Sequence, residues 1–247
     1  MNTALAAAGP LERTWVYLAA SPLLWLTATL VAYQAATWVW GRCRMNPLLN
    51  PVLVSVILLV GLLVATGTDY RTYFDGAQFV HFLLGPATVA LAIPLHRQIQ
   101  AVRRSALAIG AALLAGSFTA AASAMLIAWL LGASHDIVLS LAPKSVTTPI
   151  AMGVAEAIGG IPSLTVAMVM LTGITGAALG PGLLALLRVR DPRAQGLALG
   201  VASHGVGTAR ALQSGEVAGA FASLAMGLNG FATAIALPLT LRWLLGN

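Results

Sequence analysis

Lys144 is the only lysine in the chain, and it lies within the apolar stretch Leu141-Ala142-Pro143-Lys144-Ser145-Val146-Thr147-Thr148-Pro149-Ile150. An ammonium at the centre of a bilayer costs roughly 2.5–3.5 kcal/mol on insertion scales, so it is kept there only when paired, hydrated or useful. One reading is a lysine near a helix end that snorkels to the interface. The other is an anion site at a helix break. Pro149 sits where a helix start tolerates proline, Thr147 or Thr148 is placed to cap that start, and the free N–H groups of the first turn would point at an anion. Lys144 would add a point charge for a carboxylate, and Ser145 and Thr148 would bond a 2-oxo or 2-hydroxy group.

A second cluster is Gly200-Val201-Ala202-Ser203-His204-Gly205-Val206-Gly207-Thr208-Ala209-Arg210. Its glycines, Gly205 and Gly207 among them, let backbone approach a ligand closely. His204 titrates near neutral pH and is a candidate carrier of a coupling proton. Ser203 and Thr208 would bond the same ligand as the first cluster, with a helix start near Gly207 supplying N–H donors and Arg210 a second source of charge. A hydrogen-bonded structural histidine at a helix crossing fits the same residues, and small residues are common packing material between membrane helices. Glu156 lies seven residues after Pro149, two turns along any helix that starts there. Unpaired it would be costly, so a neutral carboxyl or a pair with Lys144 or Arg210 is expected, with proton coupling as its functional reading. An interfacial glutamate near Gly159-Gly160 is the plainer reading. Glu216, Asn229, Tyr73 and Gln78 are weaker versions of this argument. Ser203 and His204 are adjacent and do not face each other on a helix. With no metal-ligand or nucleophile motif in the chain, neither an enzyme nor a cofactor or metal is expected.

These residues sit in a chain of 247 residues that is 59% hydrophobic and only 8% charged, against roughly 25% charged in soluble domains. The mean hydropathy is +0.88. Low polarity excludes disorder, and the single cysteine, Cys43, excludes a disulfide scaffold. The formal charge of +6 does not indicate nucleic acid, because the basic residues cluster between apolar runs. The expected class is an all-α integral membrane protein, multi-pass in a bacterial inner membrane. The opening MNTALAAAGPLE has no basic region, so no cleaved signal is expected.

Seven to eight spanning segments are expected, each needing about 20 apolar residues. They read as Trp15–Trp40, Pro51–Gly67, Tyr73–Leu95, Ser105–Leu131, Ile137–Ile161, Ser163–Leu187, Gln195–Leu212 and Val217–Leu245. Gly85-Pro86, followed by Thr88, is expected to break the third, and Pro143 and Pro149 the fifth. Eight of the twelve arginines fall in three loops, at Arg42 and Arg44, at Arg97, Arg103 and Arg104, and at Arg188, Arg190 and Arg193. The positive-inside rule makes those loops cytoplasmic. An odd number of crossings must then separate His135-Asp136 from Arg190, so Ile137–Ile161 is read as re-entrant or broken. A full crossing with Arg188–Arg193 outside is the alternative. Leu84-Gly85-Pro86-Ala87-Thr88-Val89 echoes Leu141-Ala142-Pro143-Lys144-Ser145-Val146, and interrupted helices in matching places point to a transporter's binding site.

The stretches PKSVTTPIAMGVAEAIGGIPSLTVAMVMLTGITGAALGP (Pro143 to Pro181) and GLALGVASHGVGTARALQSGEVAGAFASLAMGLNGFATAIALP (Gly196 to Pro238) resemble the LrgB/CidB family of membrane proteins. NPLLNP at Asn46–Pro51 and YFDGAQFVHFLLGPATVALAIPL at Tyr73–Leu95 agree, although Ala77 stands where the family carries a second glycine. The resemblance divides the chain into an N-terminal segment, 1–45, and an LrgB-like membrane domain, 46–247. It implies two functions. One is holin/antiholin-like modulation of murein hydrolase activity and lysis, beside a separate small LrgA/CidA-like membrane protein. The other is transport of small monocarboxylates such as pyruvate, glycolate or glycerate, since plant plastidial glycolate/glycerate translocators are similar. Interrupted helices and buried polar groups favour a proton-coupled, alternating-access carrier. By analogy with compact carriers, a homodimer is expected. The substrate site is expected between Lys144–Thr148 and Ser203–Thr208, near mid-membrane.

Overall fold

The computed structural model describes residues 22–43 and 49–245. The expected start of the first span at Trp15, Arg44 and the boundary at 45/46 lie outside the described residues. Every regular element described is helical, with no strand among the described residues. The chain divides into two compact units, one up to Val89 and one from Ala90.

The first unit contains α1 (Pro22–Arg42), α2 (Pro51–Thr66), α3 (Tyr70–Phe82) and nearly all of α4 (Leu84–Ala90). Trp25 of α1 is buried and meets Tyr73 of α3 edge to face at 5.9 Å. The Tyr73 hydroxyl lies 3.1 Å from Thr29 Oγ1, which gives this tyrosine a structural partner. Gly76 lets α3 approach α1, since a Cβ there would strike the Pro22 carbonyl. Asn50 caps α2 by accepting from the Val52 and Leu53 N–H groups, Pro51 occupies the first turn, and Gly67 ends the helix in the left-handed region.

The expected break at Gly85-Pro86 falls slightly earlier, between Phe82 and Leu84. A proline ring clashes with the carbonyl four residues before it, which for Pro86 is that of Phe82, the last residue of α3. Gly85 and Pro86 thus begin α4 rather than separate two helices. Thr88 lies on α4, its side chain outside the described set. Pro94 acts likewise on Ala90, where α4 ends.

The second unit continues with α5 (Ala92–Arg97), α6 (Ile99–Arg104), α7 (Ala106–Leu130), α8 (His135–Leu141), α9 (Thr148–Ile158), α10 (Pro162–Leu186), α11 (Pro192–Ser214) and α12 (Glu216–Leu245). Three described helices, α7, α10 and α12 over Glu216–Leu241, are long and apolar enough to cross a membrane; a fourth span results if Tyr70–Val80 and Gly85–Arg97 count as one. Among the described residues, length and composition thus support three or four of the seven to eight expected spans. α2 has only 16 residues, about 24 Å of helix against a hydrocarbon core of about 30 Å. The fifth expected segment is divided by its break, and α11 is too polar.

Small residues draw the second unit together. Gly196 and Gly200 of α11 abut the Ala218 and Ala222 carbonyls of α12. On α10, Gly173, Gly176 and Gly180 face His204, Ser203 and Leu199 of α11. Buried clusters of Val146, Ala151 and Val169, and of Leu113, Val201 and Ala225, join the remaining helices. Many large apolar side chains point outward, among them Leu107, Phe118, Leu131 and Leu186, as a bilayer environment demands.

Candidate functional site

The break between α8 and α9 spans Ala142 to Thr147. Its backbone turns on itself, with Lys144 N–H donating to the Leu141 carbonyl at 3.3 Å and Val146 N–H to that of Pro143 at 3.3 Å. Pro143, Ser145 and Val146 are buried, which meets the requirement that irregular backbone at membrane depth be enclosed by protein. The end of α8 is fixed to α10: the Ile161 N–H donates to Ser140 Oγ at 2.7 Å, and Thr165 Oγ1 donates to the Ser140 carbonyl at 2.9 Å. α9 begins with Pro149 in its first turn, as expected. Thr147 occupies the capping position, but neither it nor Thr148 caps by side chain. The Thr147 carbonyl instead accepts from the Ala151 N–H at 2.9 Å.

Lys144 is half-buried, its Nζ 3.4 Å from Ser145 Oγ. The pairing expected with Glu156 is not made. Glu156 is exposed on α9, while Ala151, Val154 and Ala155 of that helix are buried.

The residues Ser203 to Thr208 do not form a loop. They belong to α11, which is interrupted at one residue, His204, with φ 42° and ψ −129°. Helix resumes at once because the Thr208 hydroxyl donates to the His204 carbonyl at 2.8 Å and Gly207 tucks against the Leu199 carbonyl. The conformation at His204 is one that glycine adopts freely and L-residues do not. The imidazole is 4% exposed, and its Nε2 lies 3.0 Å from the Val169 carbonyl of α10. A carbonyl only accepts, so Nε2 carries the proton in this arrangement. Gly173 makes room for the ring, since a Cβ there would lie 2.7 Å from Cε1. Ser203 is buried against Gly176, and its Oγ has no hydrogen-bond partner among the described residues. Gly205 is half-buried at the kink. Arg210 lies six residues beyond His204, about 9 Å along the axis, and donates to Gln213 Oε1 at 3.2 Å.

The residue that brings the two sequence clusters together is Asn229 of α12, 1% exposed. Its Nδ2 donates to the Ser145 carbonyl in the break at 3.1 Å and to the Val201 carbonyl of α11 at 3.2 Å. Its Oδ1 accepts from the Ser117 hydroxyl of α7. One side chain therefore ties α7, the break and the first half of α11. Sequence reasoning ranked Asn229 low because an amide carries no charge, yet a lone asparagine in an apolar run is costly without partners. Two other weak candidates have local roles. Gln78 is exposed and donates to the Asp75 carbonyl, and Glu216 pairs with Arg97 at 3.6 Å on the surface.

Beside Asn229 a cleft of about 440 Å³ opens between α7 and α12. Pro143, Ser145, Ser117 and Asn229 line it, and neither Lys144 nor the 203–208 segment does. The structure thus links the two clusters through Asn229 without giving them one open cavity.

Outside the spans, Asp191 precedes α11. Its carboxylate accepts from the Arg193 N–H and guanidinium, which holds its pKa below the ordinary carboxylate value. The Ser134 hydroxyl does the same for Asp136.

An all-helical chain with long apolar helices, buried glycine contacts and polar groups clustered at two helix interruptions is a membrane protein. It belongs to the LrgB-like family, whose model matches residues 29–243. It is 41% identical over 200 residues, 81% of this chain and 86% of the other, to a Bacillus subtilis protein named "Uncharacterized protein YxaC". The Bacillus subtilis protein YwbG is 36% identical over 219 residues, 89% of this chain and 97% of its own. The "Antiholin-like protein LrgB" of Bacillus mycoides is 32% identical over 219 residues, 89% of this chain and 95% of its own. No solved structure matches the chain.

Proposed function

We propose that the chain is an antiholin-like protein of the bacterial plasma membrane. It modulates murein hydrolase activity and lysis, and it works beside a separate small LrgA/CidA-like membrane protein. The observation that carries this reading is its likeness, over 89% of its length, to proteins named antiholin-like. The cleft supports it too: no charged side chain lines the space, so it does not resemble an aqueous lumen. The protein acts through membrane contacts, without a catalytic step or cofactor, and a homodimer belongs to the same proposal. The test is expression of the chain in a bacterium lacking its own LrgB-like protein, with extracellular murein hydrolase activity as the readout. A fall in activity is expected; unchanged activity overturns the reading.

A second reading, proton-coupled transport of a small monocarboxylate by alternating access, is favoured by one specific observation. Asn229 joins the break that bears Lys144 to the helix that His204 interrupts, and paired interruptions at one place are transporter design. In this reading Lys144, Ser145, Thr147 and Thr148 meet the carboxylate from one side and Ser203, His204, Gly205, Gly207 and Thr208 from the other, after α10 has moved off the kink. His204 carries the proton, and exposed Glu156 is the less suited candidate. Losing a charged contact costs about 1.5–3 kcal/mol, so Lys144→Met is expected to weaken carboxylate binding by roughly 10- to 150-fold. Saturable uptake into liposomes containing this chain alone is the test, and its absence excludes the carrier.

A further inference from the structure

The cleft between α7 and α12 differs in kind from the lysine break and the histidine kink. Its walls are two of the three helices long and apolar enough to span a membrane. Along α7 the wall runs through Ala121, Ala122 and Met125, and along α12 through Ala232, Ala236 and Leu237. Polarity gathers where Ser117 meets Asn229 beside Ser145, with Thr233 one turn further along α12. The Asn229 amide N–H groups are both committed, yet Oδ1 and the Ser117 hydroxyl each keep a free lone pair. The space has the volume of a ligand site, which is commonly about 300–1,000 Å³, mostly apolar, with a few convergent polar groups.

We propose that this cleft binds an uncharged single-chain amphiphile drawn from the membrane, its hydroxyl-type head read by Ser117 and Asn229 and its chain laid along α7 and α12. Charge is disfavoured because no charged side chain lines the cleft and burying an unpaired ion in such a space is prohibitive; Lys144, whose Nζ lies 3.4 Å from Ser145 Oγ, is the nearest cation but is not part of the lining. A purely apolar occupant would leave the free acceptors at Ser117 and Asn229 unanswered. The lipid phase is the source, since both walls belong to candidate spans. The inference stands independently of either functional reading above.

The experiment uses the full chain in lipid nanodiscs and a dodecanol carrying a tail diazirine, with crosslinks mapped by mass spectrometry. Labelling should saturate, concentrate on cleft residues such as Ala122, Met125 and Leu237, and be displaced by unlabelled dodecanol. Ala121→Phe, which fills the cleft, should lower labelling at least tenfold while the thermal unfolding midpoint is retained. Dodecyltrimethylammonium should compete at least tenfold less well than dodecanol. Unsaturable labelling spread over outward residues such as Leu107 and Leu130 overturns the proposal on the wild-type chain alone, whether or not the variant folds. So does equal competition by the cation, or protection of the cleft by a second copy of the chain crosslinked through it.

Discussion

Asn229 shows how much a single neutral side chain can hold in a bilayer. Replacing it with leucine keeps the bulk and removes two donors, so the buried Ser145 and Val201 carbonyls lose partners. Each unmatched buried group costs about 1–3 kcal/mol, tempered in membranes where unfolded segments also find partners. Asn229→Leu should lose about 2 kcal/mol in a reversible denaturation measurement in micelles; a loss under a few tenths contradicts its role as a tie. His204 offers a cleaner comparison. His204→Ala and His204→Gly both lose the bond to Val169, but only glycine relieves the positive φ. Such strain costs about 1–3 kcal/mol, part of which is returned through glycine's entropy. His204→Gly should therefore be the more stable variant by about 1 kcal/mol, and the reverse order would refute the strained backbone. Lys144 and His204 were legible in the sequence because charge and titratability stand out in apolar runs. Asn229 was not, because its importance lies in three elements distant in sequence.

At the scale of elements, proline arithmetic made the interruptions legible. Pro143 and Pro149 bracket the α8–α9 break, and Pro86 ends α3 four residues upstream. The kink at His204 has no such marker: the glycines around it pointed to a helix start near Gly207, whereas the interruption falls at His204 alone, with helix on both sides. What decides the matter is α10, whose glycines admit the kink, and that packing is invisible in one segment's sequence. Gly176→Ala would drive a methyl into Ser203, whereas Gly182 on the same helix faces open space. Overpacking should cost Gly176→Ala about 1–3 kcal/mol. Gly182→Ala should be neutral or stabilising by up to about 1 kcal/mol. Equal effects in thermal unfolding would mean that α10 and α11 do not meet there. The start of α11 has a pH signature. The Arg193 guanidinium depresses the Asp191 pKa, so the stability this carboxylate adds is present above its unfolded pKa of about 3.9 and lost as pH falls through the lower folded value. The difference in melting midpoint between wild type and Asp191→Asn should shrink on acidification over that range; a difference constant with pH would remove the carboxylate from the account.

At the scale of the molecule, composition alone gave the membrane class, and the motifs around Pro143 and Ser203 gave the family. The number of spans was less legible, because apolar length does not distinguish a span from a helix divided at membrane depth. Function is least legible of all: a lysine break and a histidine kink suit a carrier, while the likeness to antiholin-like proteins supports control of lysis. The two diverge in one observable, the murein hydrolase activity released by cells. In a bacterium lacking its own LrgB-like protein, expression of this chain should lower extracellular murein hydrolase activity, and well-expressed Asn229→Leu should lose that effect. Hydrolase activity indifferent to the chain, in cells where it is abundant in the membrane, would contradict the antiholin-like account.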